Sequence, residues 1–223
     1  CRQAEEANLP MTDLSTLRPD RLVGVRETFR IDADLQVPAF AERDAHVPEI
    51  DPAYPAFVAL LRALDDGMST RLHYQLADQR GLAYSIGAAI EPLADTALFE
   101  ITSATANAKL PTLVAEILGL VGGLRDEAIG ADELAKIRTR YRYETVASLD
   151  DSAAMAGWFG GTALYYPPPA LADRLAAIDA VTADDLIATA RQVFTPAGLA
   201  LAAVGALSKA RVGELREVIT GWA

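Results

Sequence analysis

The sequence predicts an α+β fold, a two-layer sandwich with helices packed on one face of a mostly antiparallel sheet. Three observations carry this. Leu82, Tyr84, Ile86, Ala88 and Ile90 alternate with Ala83, Ser85, Gly87 and Ala89, and Ala97, Phe99, Ile101 and Ser103 alternate again after a Pro92–Asp95 turn. A two-residue period across a short turn is a β-hairpin. Helical patterns then follow one another near 108–125, 131–148, 151–164 and 169–193. Strands and helices therefore come in blocks rather than in strict βαβ alternation, which disfavours a parallel sheet.

Residues 1–20 are polar, contain Pro10 and Pro19 and show little periodicity, so they read as a linker or truncated interdomain segment. Residues 21–223 read as one domain. Phe29, Ile31, Leu35 and Val37 stand among polar residues and suggest two short strands between Leu22 and about Ala41. Asp51-Pro52 opens a helix, since Asp caps and proline is tolerated in the first turn. Tyr54, Phe57, Val58, Leu61 and Leu64 then form a buried stripe. Gly67 breaks this helix, and a second runs from Ser69 to about Gln79 and stops at Gly81. The strand at 82–90 has one face nearly bare of bulk, so another group can approach it closely. Near Ala180 the last long helical pattern breaks, and Thr182-Ala-Asp-Asp restarts it with a capping pattern. Leu199 and Leu201 mark a last strand ended by Gly205, and a short amphipathic helix closes the chain.

Composition excludes several functions. The 223 residues are 51% hydrophobic and carry a formal charge of -11. That charge disfavours a nucleic-acid surface, which needs a clustered basic face. Arg138, Arg140 and Arg142 gather on one helix, but their spacing spreads them round it, as on a solvated face. No apolar run approaches the roughly eighteen residues of a membrane span. The single cysteine, Cys1, excludes a disulfide within the chain and disfavours a thiolate metal site. A first residue other than Met, with no signal segment visible, points to a trimmed or processed chain, with a lipid on Cys1 as the lesser alternative.

Candidate chemistry is sparse. The two histidines, His46 and His73, lack the neighbours a zinc site needs, so no metal ligand is assigned. No Gly-x-Ser-x-Gly or phosphate-binding glycine loop occurs. The pairs Asp65-Asp66, Asp150-Asp151 and Asp184-Asp185 fall at helix ends, where capping or dipole stabilisation is their expected role. No catalytic residue is assigned in this chain. Tyr84 shares an alternating face with Leu82 and Ile86, which on periodicity alone suits a core tyrosine as well as a binding one.

One segment carries a resemblance. Gly67, Ser69, Thr70, Arg71 and Leu72, followed by Arg80, Gly81, Leu82, Ala83 and Tyr84, resemble the signature of the C-terminal half of pitrilysin-like zinc peptidases. That group includes insulin-degrading enzyme and mitochondrial processing peptidase, and the likeness is to its processing-peptidase-like bacterial members. "IDPAYPAFVALLRAL", "ADELAKIRTRY", "IDAVTADDLIATARQVF" and "LALAAVGAL" resemble further family segments in the same order, over residues 20 to 207.

The resemblance implies a zinc-free half that completes a peptide-binding chamber. The zinc and its inverted His-x-x-Glu-His motif would lie on an N-terminal half or partner subunit, and a peptide would be the substrate. It implies a substrate-binding role for Tyr84. The family's arginine, seven residues earlier, is replaced here by Ala77. Arg71, Arg80 and Gly81 fall to the structural motif, with Arg71 an intrahelical or helix-to-loop anchor. The loss of that arginine keeps open a second function, a non-catalytic structural or peptide-holding subunit. Relatives are often periplasmic, which an acidic chain permits without excluding the cytoplasm.

Overall fold

The computed structural model describes residues 38–45, 47, 49–92, 97–164 and 166–222, with backbone alone for 38–45 and 92. The expected strands of 22–37, His46 and the hairpin turn of 93–95 lie outside the described residues. The chain is α+β and mostly helical, with a small antiparallel sheet. Strands β1 (Pro38–Ala45), β2 (Ser85–Pro92), β3 (Ala97–Ala104) and β4 (Leu199–Ala203) lie in the order β2-β3-β1-β4. The β2–β3 hairpin keeps its register from Ser85 opposite Ala104 to Pro92 opposite Ala97. β1 pairs antiparallel with both β3 and β4, with an irregularity between Glu42 and Ala45.

Burial along β3 follows the pleat. Ala97, Phe99, Ile101 and Ser103 are buried while Thr102 is exposed. Phe99 joins Phe57 at 5.8 Å and Phe194 at 5.0 Å between ring centroids. This aromatic row ties the sheet to α1 (Tyr54–Leu64) and to the residue that ends α6 (Ala183–Val193). α2 (Leu110–Asp126) adds Leu113, Val114, Ile117 and Leu124, all 0–1% exposed, to the same core. Apolar area removed from water at about 25 cal/mol per Å² is the main favourable contribution here.

α1 starts at Tyr54, about one turn later than Asp51-Pro52 suggests. The Asp51 carboxylate accepts the Ala53 N–H at 2.7 Å, so the acid still holds the entry. The stripe expected at 54–64 is displaced as well. Ala56, Phe57, Ala59, Leu60, Ala63 and Leu64 are buried, whereas Val58 and Leu61 sit at its margin. α3 (Ala131–Ala147) and α7 (Lys209–Thr220) fall where periodicity puts them. The pattern at 151–164 becomes α4 (Ser152–Ala156) and then a π-helical turn, Gly157–Gly161. The pattern at 169–193 divides into α5 (Leu171–Ala180) and α6. Thr182 and Asp185 form a complete capping box at the restart. No helix among the described residues is long and apolar enough to cross a membrane.

Candidate functional site

The segment Ser69–Ala89 folds as a helix, a clamp and a strand. Arg71–Gln79 is a helix of π geometry that buries Leu72 and Leu76, four residues apart. It ends at Arg80, and Gly81 takes φ +57°, the left-handed conformation that favours glycine. The following turn is held from several sides. Leu82 N–H donates to the Leu76 carbonyl at 2.8 Å. Thr105 Oγ1 donates to the Leu82 carbonyl at 2.5 Å, and Lys109 Nζ to the Gly81 carbonyl at 2.7 Å. Tyr84 N–H then donates to the Ala104 carbonyl at 2.7 Å and feeds the chain into β2.

This clamp presents the Tyr84 ring to solvent, 74% exposed. The core alternative for Tyr84 is overturned, because regular pairing starts only at Ser85 and the alternation does not extend back through the turn. Leu82 packs beside the core and Ile86 enters it, but Tyr84 does neither. Ala77 packs against the core cluster.

Arg71 holds both oxygens of Glu133 on α3, with Nε and one terminal nitrogen each at 2.9 Å. It thus anchors helix to helix, rather than lying within its helix or reaching a loop. Arg80 pairs with Glu116 on α2. Both arginines thus pair with carboxylates of neighbouring helices.

Arg71 and Glu133 form one end of a cleft of about 700 Å³ between α1 and α3. Its wall is a network of alternating charge. Arg62 donates to Asp66 at 3.0 Å and to Glu144 at 2.6 Å. Arg140 stands 3.1 Å from Asp66 and 3.6 Å from Glu144. Burial pushes the Asp66 carboxyl up, against the pull of Arg62 and Arg140. Burial acts upward on Glu144 too, but the hydrogen bond and charge of Arg62, with Arg140, outweigh it and hold Glu144 below the usual range.

The acidic pairs divide. Asp151 caps α4 by accepting from Ala153 and Ala154 N–H, and Asp185 belongs to the capping box. Asp65-Asp66 does not cap. It follows the C-terminal end of α1, where the helix dipole disfavours an acid. Asp66 joins the arginine network, and Asp65 accepts the Ala88 N–H of β2 at 2.7 Å. The nearly bare face of β2 explains the approach, since a Cβ on Gly87 would lie 3.3 Å from the Asp65 carboxylate. The three arginines of α3 are likewise engaged rather than merely solvated. Arg138 reaches the Val181 carbonyl, Arg140 reaches Asp66 and Arg142 pairs with Asp179.

His73 Nε2 lies 3.5 Å from Asp65, and no third ligand joins them. Among the described residues no group of three or more His, Cys, Asp or Glu side chains could hold a metal ion. The donor set does not fit zinc, and no step through zinc is assigned to these residues.

Comparison with known proteins gives the geometry its context. Residues 44–141 match the family described as peptidase M16 inactive domain. Over those residues the chain is similar to an M16 inactive domain, of the C-terminal type. The M16 inactive domain lacks the family's zinc-binding motif. An uncharacterized zinc protease of Streptomyces coelicolor is 27% identical over 165 residues, 74% of this chain and 36% of that protein. The chain thus spans about a third of that relative, and the homology to bacterial zinc proteases is distant. A protease from Helicobacter pylori has a similar fold, with TM-score 0.68, 22% identity, and coverage of 80% of this chain and 42% of that one. So does the inactive peptidase domain of a zinc protease from Bordetella parapertussis, with TM-score 0.63, 15% identity, and coverage of 79% and 96%.

A second match precedes the M16 segment. Residues 14–47 match the family described as cobaltochelatase CobS subunit N terminal. The aerobic cobaltochelatase subunit CobS of a Sinorhizobium species is 55% identical over 42 residues, 19% of this chain and 12% of that protein. β1 lies within this second match, yet its backbone pairs on both sides with strands of the M16-like fold.

Proposed function

We propose that this chain is the zinc-free half of a zinc metalloendopeptidase. In this reading it completes a peptide-binding chamber opposite an N-terminal half or partner subunit that carries the zinc. In this reading helices cover one face of the sheet and the other face is the chamber wall. The observation that carries the reading is Tyr84, a large amphipathic side chain placed in solvent by a turn clamped on several sides. Its ring offers apolar surface to an extended peptide, and its hydroxyl can donate to a peptide carbonyl or to charge developing on it.

The test uses the purified chain and a fluorescent unstructured peptide. The wild-type chain should bind the peptide without cleaving it, and Tyr84→Ala should weaken binding by about three- to tenfold, the effect of losing one aromatic contact. Equal binding by wild type and Tyr84→Ala would remove Tyr84 from the reading.

Ala77 supports a second reading. With no guanidinium there and Arg71 and Arg80 spent on Glu133 and Glu116, Tyr84 lacks the family's partner among the described residues. That suits a non-catalytic, peptide-holding or structural subunit. The DNA just upstream separates the two: a half bearing the inverted zinc motif supports the peptidase, and one without it, with none encoded nearby, supports the holding role.

A further inference from the structure

A pocket at the N-terminal end of α1 holds unspent hydrogen-bonding capacity. It encloses about 320 Å³, near the lower end for small-molecule sites, and Glu49, Tyr54, Tyr141, Tyr166, Asp173 and Arg174 are among the residues that line it. Arg174 is fixed in place. Its guanidinium carbon lies 4.8 Å from the Trp158 ring centroid and 5.5 Å from that of Tyr141, and its Nε donates to the Tyr141 hydroxyl. Its two terminal nitrogens make no hydrogen bond or ion pair among the described residues. A guanidinium stacked on two rings with its fork free is pre-organised for a carboxylate.

The surrounding groups narrow the ligand. The Tyr166 hydroxyl is shielded from solvent and makes no aligned hydrogen bond, although Glu49 faces it. Burial, with the charge of Glu49, pushes the Tyr54 hydroxyl up to about 12, so it remains a donor at neutral pH. Glu49 and Asp173 supply negative charge in the same pocket. A dianion such as phosphate would be repelled by these carboxylates. A molecule with one carboxylate and one ammonium matches both signs.

We infer that this pocket binds a zwitterionic amino acid or dipeptide, its carboxylate on the Arg174 fork and its ammonium toward Glu49 and Asp173. The site stands apart from Tyr84 and does not depend on the function proposed above.

Isothermal titration of the full chain tests this with alanine, Ala-Ala, Ala-Ala-amide and N-acetyl-Ala-Ala. Blocking either end should weaken binding by about tenfold or more, as loss of a charge-assisted contact does. Arg174→Gln should abolish the heat of binding. Asp173→Asn, at an exposed position that leaves the fold intact, should weaken Ala-Ala several-fold while leaving N-acetyl-Ala-Ala unchanged. Whichever of alanine and Ala-Ala binds more tightly identifies the occupant as an amino acid or a dipeptide. Equal binding of free and amidated dipeptide, insensitivity to Asp173→Asn, or no heat from either zwitterion would overturn the inference.

Discussion

The ring of Tyr84 stands in water, and everything that holds it there is backbone or a neighbour's side chain. Removing the phenol should therefore leave the fold nearly untouched. Tyr84→Ala is expected to change unfolding free energy by less than about 0.5 kcal/mol in urea denaturation, as for surface positions generally. Arg71 is the reverse case. Its paired bonds to Glu133 are half-buried, so Arg71→Ala should destabilise the chain by about 1 kcal/mol, and a double-mutant cycle with Glu133→Ala should show coupling. The signature residues were legible in the sequence as a set, but not their division of labour. Tyr84 and Ile86 sit two apart, so periodicity placed them on one face, and only the turn backbone separates them. Nor could spacing show that Arg71 would find Glu133, sixty-two residues away.

Individual elements end where local chemistry tells them to. Gly81 at φ +57° stops the π-helix, and Gly81→Ala should cost about 1 kcal/mol in thermal or urea unfolding from left-handed strain. The box at Thr182–Asp185 starts α6. Thr182→Ala should cost about 1 kcal/mol, as loss of an N-cap does. The hydrogen bonds from the Thr182 hydroxyl and backbone hold the Asp185 carboxyl below its ordinary value. A carboxyl depressed in the folded state adds stability above its unfolded value, near pH 4, and loses it as pH falls through the lower folded value. Asp185→Asn should flatten this part of the stability profile below about pH 4, as followed by urea unfolding at successive pH values. Asp65 acts across elements. It closes the outer edge of β2 at Ala88, where an open N–H would invite another strand.

The restart of α6 was readable because its capping box is local. The π winding of Arg71–Gln79 was not, since Leu72 and Leu76 suit α and π spacing alike. The displaced stripe of α1 has a similar cause. Small alanines at 56, 59 and 63 face the core, and bulk alone does not reveal which face a helix turns inward. The capping expected of Asp65-Asp66 fails because a helix end has a sign. Charge at the C-terminal end needs partners from elsewhere in the fold, here Arg62, Arg140 and the edge of β2.

The whole molecule is a sheet fastened to helices through Phe57, Phe99 and Phe194. Phe99→Ala should cost about 3–5 kcal/mol, enough to unfold a marginal domain, with circular dichroism as the readout. α+β architecture was legible because the change from two-residue to helical period survives in sequence. The strand order was not, since β1 and β4 meet from opposite ends of the chain.

Among the described residues His73 stands beside Asp65 and no three-ligand set forms, and the M16 inactive domain is the family's half without the zinc motif. Elemental analysis of the purified chain after dialysis against zinc measures this most directly. Zinc far below one ion per chain is expected; one tightly held ion per chain, resisting dialysis, would place a metal site in this half after all.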